Sequence, residues 1–511
     1  MIFRSPFADV EIPDVALADF VLEHAAERGD KTALIDGPTG RAVSHGEVAD
    51  VVGRCAGGLA SMGVHRGDIV ALCSPNSPEY AIAFHAVAAA GAVCTTLNPL
   101  YTVDELAFQL EHSGARVLIS FPEGLDGAGA AAQRAGVSEV HVLGEALFDR
   151  DPSAAPTDDA VDPGELVALP YSSGTTGLPK GVMLTHRNLV ANILQSSAQQ
   201  PVEEDDTVMA VLPFFHIYGL NVIMNGALRN GATAVTMPRF DLERFLALIE
   251  AHRVTKLHVV PPIVLALAKS PAVGRFDLSS LQLVNSGAAP LSAELAEAAA
   301  KRVGCPVVQG YGMTESSPVT HATPLDPRSH RPGSIGPPVP NTECRIVDVA
   351  TGAELGPGDE GEVCVRGPQV MRGYIDDPEA TSATIDGDGW LHTGDVGRAD
   401  EDGYVVLVDR VKELIKYKGY QVAPAELEAI LIEHPAVADA AVVAVADEEA
   451  GEIPKGFVAL AGDATCDEIM AFVAERVAPY KKLRALEVVA EIPKSASGKV
   501  LRRVLAERAR A

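Results

Sequence analysis

From residue 44 to 120 apolar positions fall into two alternating rhythms. "SHGEVADVVGRCAGGLASMG" repeats at helical spacing, "DIVALCS" is a short apolar run, and "SPEYAIAFHAVAAAG" is a helix opened by a Ser cap. "AVCTTLN" is a strand. "TVDELAFQLEHSG" is a helix with a Thr cap and a Glu three residues later, and "ARVLISF" is a strand. Strand–helix alternation predicts a mostly parallel sheet covered on both faces. The same pattern returns at "TKLHVVPP" and at "LQLVNSGAAPLSAELAEAAAKRVGCPVVQGYG". From about 325 to 408 Gly and Pro are dense and the apolar runs are short ("CRIVD", "EVCVRG", "GYVVLVD"), which predicts an antiparallel or barrel-like subdomain. After Asp409 a run of helices and strands ending in a basic helix predicts a small separate domain.

The longest apolar run, 80–97, contains His85 and Gly91 and reads as a buried helix followed by a strand, not a membrane span. At 511 residues more than one domain is expected. The net charge of -28 argues against a nucleic-acid or anionic-membrane binder, both of which need a basic face. Seven scattered cysteines without a C-x-x-C pair indicate neither a zinc site nor a disulfide framework, and a reducing cytoplasm is expected.

Three turns carry candidate chemistry. "SSGTTGLPKGVMLTH" (172–186) lies between a run read as a strand, "LVALPYS", and one read as a helix, "HRNLVANILQ". Small residues let backbone N–H groups close around phosphate oxygens, hydroxyls add donors, and Lys180 adds charge. The spacing is not that of a Walker A loop. "SGAAPLSAEL" (286–295) and "QGYGMTES" (309–316) are again small-residue turns after strands. Together the three are expected at the carboxyl ends of successive strands, where α/β sheets bind ligands. Glu315 suits magnesium, which takes one or two carboxylates plus phosphate oxygens. Asp395, closing "GWLHTGD", suits ribose hydroxyls. Two local basic strips, 409–418 and 493–503, stand out in an acidic chain, the second with Lys499 after a Ser-Ala-Ser-Gly turn.

These segments, with "PFFHIYGLN", "VPPIVLALAKS", "VDRVKELIKYKGYQVAPAELEA" and "GEVCVRG", resemble the acyl-adenylate-forming (AMP-binding) superfamily, closest to 4-coumarate and cinnamate–CoA ligases, from about residue 30 onward. The resemblance implies an α/β fold with a large N-terminal domain of layered sheets plus a barrel-like subdomain (1–409). A hinge (410–412) and a small mobile α+β C-terminal domain (413–511) complete it. It implies an ATP-, Mg²⁺- and coenzyme A-dependent ligase that forms an acyl-AMP and then a thioester, with a small-molecule carboxylic acid as substrate. The protein is expected to be a monomer or homodimer without stable membrane association. The alternative is a medium- or long-chain fatty acyl-CoA synthetase or luciferase-like enzyme.

By position the resemblance assigns Ser172, Ser173, Gly174, Thr175, Thr176 and Lys180 to the ATP phosphates, Thr314 to the α-phosphate and Glu315 to the metal. Ala288, Gln309, Gly310 and Tyr311 line the adenine, and Asp395 and Arg410 hold the ribose. Lys412 (at the hinge), Lys416 and Gln421 belong to the nucleotide site, and Lys499 neutralises charge during adenylation. Arg239, Lys418 and Gly419 are assigned to coenzyme A. His216 gates an acid pocket walled by Tyr218, Val222, Val259, Asn285, Gly287, Gly312, Pro318, Val319 and Thr320, with Ala288 and Gly310. Plant coumarate ligases typically carry Ser, Lys and Leu where this chain has Val222, Asn285 and Thr320, so a partner for a ring hydroxyl is expected to be missing. The single Trp, Trp390, is not among the wall positions, which leaves room for a long flat acid.

Overall fold

The computed structural model describes residues 1–144, 147, 161–172, 179–410, 413–417, 420–447, 450–477, 479–495 and 498–510. Among these the chain forms two large sheets, a five-stranded antiparallel sheet and a separate C-terminal sheet. The expected local signals hold. Ser44 and Thr102 close capping boxes at the helices His45–Ser61 and Val103–Ser113, and Ser77 caps Pro78–Ala89. Pro78–Ala89 is buried almost all round, as its unbroken apolar pattern requires.

The first large sheet runs Gly373–Tyr374, Lys180–Thr185, Leu166–Ala168, Val93–Leu97, Ile69–Cys73, Val117–Ser120, Glu139–Val142. The second runs Val319–Ala322, Val307–Gly312, Leu283–Ser286, Lys256–Val259, Thr207–Ala210, Thr233–Thr236, Thr32–Asp36, Ala42–Ser44. Its inner strands are parallel, and antiparallel pairs close both edges. One apolar core spans both sheets and the helices between them. The Gly- and Pro-rich subdomain is built on the strands Ile2–Arg4, Glu343–Val347, Gly361–Arg366, Leu391–Ala399 and Val405–Arg410, all antiparallel. Trp390 lies in this subdomain, its ring covered by the Arg345 and Arg366 guanidinium groups at 4.4 and 4.6 Å.

The 172–186 stretch differs from the expected strand–loop–helix. A strand, Lys180–Thr185, stands between loop and helix and pairs back onto Tyr171–Ser172, with Lys180 opposite Ser172. The apolar Val182 and Leu184 are core residues of that strand. Tyr171–Ser172 and Lys180–Thr185 are therefore an antiparallel pair on the first sheet, and residues 173–178 lie outside the described residues. Only the other two candidate turns end neighbouring strands, Leu283–Ser286 and Val307–Gly312, of the second sheet.

The helix His186–Gln199 joins the two. Thr185 and Asn188 form its capping box. Asn188, Asn192, Gln195 and Gln199 are buried on it, at spacings of four, three and four that place them on one face. Their amides bind backbone elsewhere. Asn188 Nδ2 donates to Pro368 O (2.8 Å) and Val370 O (3.0 Å), and Asn192 takes Val319 N (3.0 Å) while donating to Val319 O (2.7 Å). Gln195 donates to Pro340 O at 2.8 Å, and Gln199 donates to Ala322 O. Removing the Asn192 amide leaves both polar groups of Val319 without their partner. Asn192→Ala is expected to lower stability by about 2–4 kcal/mol, read as a drop in the urea midpoint. A shift no larger than that of the half-buried Ser196→Ala would contradict this.

Candidate active site

Where the two sheets face the antiparallel subdomain, three strand ends bring polar groups together. The Val307–Gly312 strand pairs with Val319–Ala322, with Gly310 opposite Ala322, Tyr311 opposite His321 and Gly312 opposite Val319. A Cβ on Gly312 would lie 1.9 Å from Pro318 O, so only glycine allows this close return. Between the two strands Thr314 and Glu315 occupy a short 3₁₀ turn, both buried. The turn is pinned by Ser316 Oγ donating to Pro318 O (2.5 Å) and by Met371 N donating to Glu315 O (2.8 Å).

The Glu315 carboxylate accepts from the Tyr374 hydroxyl at 2.9 Å. Burial and the neighbouring carboxylate push the Tyr374 phenol well above its usual range. Lys180 places its ammonium 5.0 Å from the centre of the same ring and 3.6 Å from Asp377 Oδ2. Lys180 and the candidate metal carboxylate thus share one aromatic wall, Tyr374. Tyr374 and Asp377 were not among the expected residues. Their pairing depends on the strand Gly373–Tyr374 lying beside Lys180–Thr185, which no local pattern announces.

A second cluster surrounds Tyr311. Its hydroxyl donates to Asp395 Oδ2 at 2.5 Å. Gln309 Oε1 accepts Leu291 N at 3.1 Å and so holds the "SGAAPL" turn against the strand. In that turn Ala288 is exposed and adopts a positive φ of 68°. Ala288, Gln309, Tyr311 and Asp395 therefore frame one recess. Arg410 lies opposite Asp395 in the strand register.

Lys499 comes from the small domain. A hairpin-like turn holds it, with Ser495 N donating to Lys499 O (2.8 Å) and Lys499 N donating to Ser495 Oγ (3.2 Å). A Cβ on Gly498 would sit 3.1 Å from Val260 of the large domain. The Lys499 charge, after burial, contributes to pushing the His216 imidazole down to about 4. His216 Nδ1 accepts from Tyr218 N at 3.3 Å, which leaves the proton of the neutral ring on Nε2.

Residues 21–375 match the AMP-binding enzyme family and residues 426–499 the AMP-binding enzyme C-terminal domain. The 4-coumarate–CoA ligase 5 of Oryza sativa subsp. japonica is 48% identical over 99% of this chain and 96% of its own. The 4-coumarate–CoA ligase of Pinus taeda is 44% identical over 99% and 97%. The crystal structure of ATP-bound MatB from Rhodopseudomonas palustris superposes with a TM-score of 0.89 at 30% identity, covering 97% of this chain and 99% of that one. The chain belongs to the AMP-binding enzyme family.

The remaining positions that this family resemblance singled out are distributed as follows. Lys416 and Gln421 face each other across the antiparallel pair Ile415–Tyr417 and Tyr420–Val422. Arg239 is exposed, in the turn before the Leu242–His252 helix. Ser173, Gly174, Thr175, Thr176, Lys412, Lys418 and Gly419 lie outside the described residues.

Of the residues expected to wall the acid pocket, Tyr218 packs on Gly287, Asn285 lies beside Gly310, and Gly312 touches Pro318 and Val319. A Cβ on Gly287 would lie 2.8 Å from Tyr218 Cε1, so the tyrosine ring packs directly on this glycine. The ring meets His258 edge-on, with centroids 5.9 Å apart, and His258 pairs with Asn285 in the parallel register. Asn285 Nδ2 donates to Gln200 Oε1 at 2.7 Å. The Tyr218 hydroxyl, both His258 nitrogens, Asn285 Oδ1 and Ser286 Oγ are buried and have no hydrogen-bond partner among the described residues. Val222 is apolar, as expected, but the wall as a whole is not. His258 escaped the sequence reading because both immediate neighbours, Leu257 and Val259, are apolar and it reads as one more core position.

Burial holds three imidazoles of this region below their ordinary value: His216 and His258 to about 4, His321 to about 3. The unfolded chain therefore takes up protons between roughly pH 6.5 and 4 that the folded chain refuses, so stability falls as pH drops through that window. Each imidazole contributes up to about 1.4 kcal/mol per pH unit. The urea midpoint should decline steadily from pH 7 to pH 5. A midpoint unchanged over that range would show that these rings protonate freely in the folded state.

Proposed function

We propose that the protein is an ATP-dependent carboxylic acid–CoA ligase acting on cinnamate-type aryl acids, 4-coumarate above all. The observations that carry this reading are the Lys499 charge felt at His216, the Tyr311 hydroxyl bonded to Asp395, and the Tyr218 ring packed on His258, whose register partner is Asn285. The likeness to plant 4-coumarate–CoA ligases along nearly the whole chain supports it.

In the first half-reaction a carboxylate oxygen of the acid attacks the α-phosphorus of ATP. Pyrophosphate leaves and an acyl-AMP forms. Two anions must approach, so the barrier is lowered by preorganised positive charge and hydrogen-bond donors. Lys499 supplies charge between the acyl and α-phosphate oxygens, and Lys180 supplies it at the outgoing phosphates. Thr314 donates to the α-phosphate. Asp395 accepts from ribose hydroxyls, and the exposed Ala288 edge and the Tyr311 ring frame the adenine. Glu315, a buried carboxylate oriented by Tyr374, is a donor suited to magnesium, which would neutralise phosphate charge. In the second half-reaction the coenzyme A thiol attacks the acyl carbonyl, its proton leaves, and AMP departs. Rotation about the 410–412 hinge would withdraw Lys499 and bring the face bearing Lys418 and Gly419 to the site, with Arg239 on the path of the coenzyme A phosphate.

The unpartnered polar atoms favour the aryl acid over a fatty acid. An alkyl chain would leave the Tyr218 hydroxyl, His258 and Asn285 Oδ1 unpaired in a dry pocket, which costs affinity. A ring hydroxyl at the end of the acid can pair with them. With acid, ATP, magnesium and coenzyme A, 4-coumarate is expected to exceed cinnamate in kcat/KM by about tenfold. Both should exceed ferulate and sinapate, whose methoxyl groups meet Val222. A panel assayed for thioester checks this ranking. Octanoate outperforming 4-coumarate would overturn the aryl reading while leaving the ligase intact.

A further inference from the structure

The turn that carries Asp395 is held from outside the nucleotide recess. Along the pair Gly361–Arg366 and Leu391–Ala399 the register shifts between Glu362 and Cys364. Glu362 faces Val396 and Cys364 faces His392, so Thr393, Gly394 and Asp395 fall into the gap of this ladder. Gly394 adopts φ 70° there, a conformation that favours glycine.

The Glu362 side chain bridges the gap. Its Oε1 accepts the Gly394 N–H at 3.0 Å, and its Oε2 lies 2.9 Å from His392 Nδ1. Thr393 Oγ1 donates to Val363 O at 2.7 Å and accepts Asp395 N at 3.1 Å. Both sides of the turn are thereby fastened to the neighbouring strand. Beyond them the Asp395 carboxylate accepts from Tyr311. Cys364 Sγ also approaches His392 Nδ1, at 3.5 Å, and the Glu, Cys and His donor atoms lie within 4.8 Å of one another. This set resembles a metal cluster. However, one Glu362 oxygen is engaged by backbone, burial pushes the Cys364 thiol up to about 12, and the Arg345 cation stands 2.9 Å from the adjoining Asp386. A thiol kept neutral beside a fixed guanidinium is a poor cation site.

We infer that Glu362 is a positioning residue for ATP. Its carboxylate fixes the His392–Asp395 turn so that Asp395 meets the ribose hydroxyls in the orientation Tyr311 sets. The inference rests on the assignment of Asp395 to the ribose. Glu362 itself touches no substrate, and its effect must pass through Asp395. It should therefore act on discrimination between ATP and its deoxyribose analogues, which a general loss of structure would not alter.

The test compares ATP with 2′-deoxyATP and 3′-deoxyATP in acid-dependent pyrophosphate release by wild type, Glu362→Ala, Glu362→Gln and Asp395→Asn. Glu362→Ala should lose about tenfold in kcat/KM for ATP and about twofold or less for the analogue lacking the recognised hydroxyl. Most of the change should appear in KM for ATP. Glu362→Gln keeps an oxygen for Gly394 N–H and should stay within about threefold of wild type for ATP. Asp395→Asn should itself abolish most of the discrimination. If Asp395→Asn discriminates like wild type, the ribose assignment fails. If Asp395→Asn loses discrimination but Glu362→Ala keeps it, or loses ATP and analogues equally, the role given to Glu362 is overturned.

Discussion

A row of buried amides on one helix is the constraint on which this structure turns. Asn188, Asn192, Gln195 and Gln199 satisfy backbone groups of Val319, Ala322, Pro340, Pro368 and Val370, which belong to three separate segments. Asn221 adds a bond to Ser317 O at 2.7 Å. These segments carry no long regular structure of their own, so their backbone groups must be paired from outside. The helix supplies the partners, and in doing so fixes the turn of Thr314 and Glu315 and the strand that returns from it. Buried polar groups placed this way are strongly position-specific, because a shifted segment leaves them unpaired. The proposed site for nucleotide and acid lies where that pinned turn meets the Lys180–Thr185 strand and the antiparallel subdomain.

In the proposed mechanism the small domain delivers Lys499 to the reacting groups. Lys499 lies at the end of a tight turn whose base is fastened by Lys494 to Asp439 at 2.5 Å. Three residues on, Arg502 bonds Glu413, just past the hinge, at 2.5 Å and also pairs with Glu428 of the Pro424–Glu433 helix. The opposing carboxylates more than offset the burial of this guanidinium and hold its charge firmly. The lysine turn, the Glu413 segment and the helix are thereby tied to one another within the small domain. Gly498 of this turn lies against Val260 of the large domain and the Lys499 charge is felt at His216, an arrangement that the proposed adenylation step would use.

Much of this was legible in the sequence. Capping boxes at Ser44 and Thr102, the all-apolar Pro78–Ala89 helix and the change of texture near 325 are local patterns, and each yields the expected element. Resemblance supplied the candidate roles of Glu315, Tyr311, Asp395 and Lys499, and the geometry joins Tyr311 to Asp395, Glu315 to Tyr374 and the Lys499 charge to His216. The extra strand Lys180–Thr185 was read as loop because its six residues include Lys, Gly and Thr, and its apolar positions make sense only beside Leu166–Ala168 and Gly373–Tyr374. Tyr374, His258 and Glu362 were missed for the same reason: each acquires meaning only from a strand distant in sequence. The amide row of His186–Gln199 did leave a trace. Asn, Asn, Gln and Gln at helical spacing, interleaved with Leu189, Val190, Ala191, Ile193 and Leu194, is a pattern that ordinary solvated faces do not show.

The central claim is that one site performs two half-reactions and that Lys499 serves only the first. Attack of a carboxylate on a phosphate needs charge neutralised at the reacting oxygens, and a preorganised cation there is worth ~3 kcal/mol or more of barrier, roughly 100-fold in rate. The decisive measurement supplies Lys499→Ala with chemically made 4-coumaroyl-AMP and coenzyme A. ATP–pyrophosphate exchange by the same variant is followed in parallel. The account predicts exchange reduced by about 100-fold or more and thioester formation from the supplied adenylate near the wild-type rate. Equal loss of both reactions would contradict it.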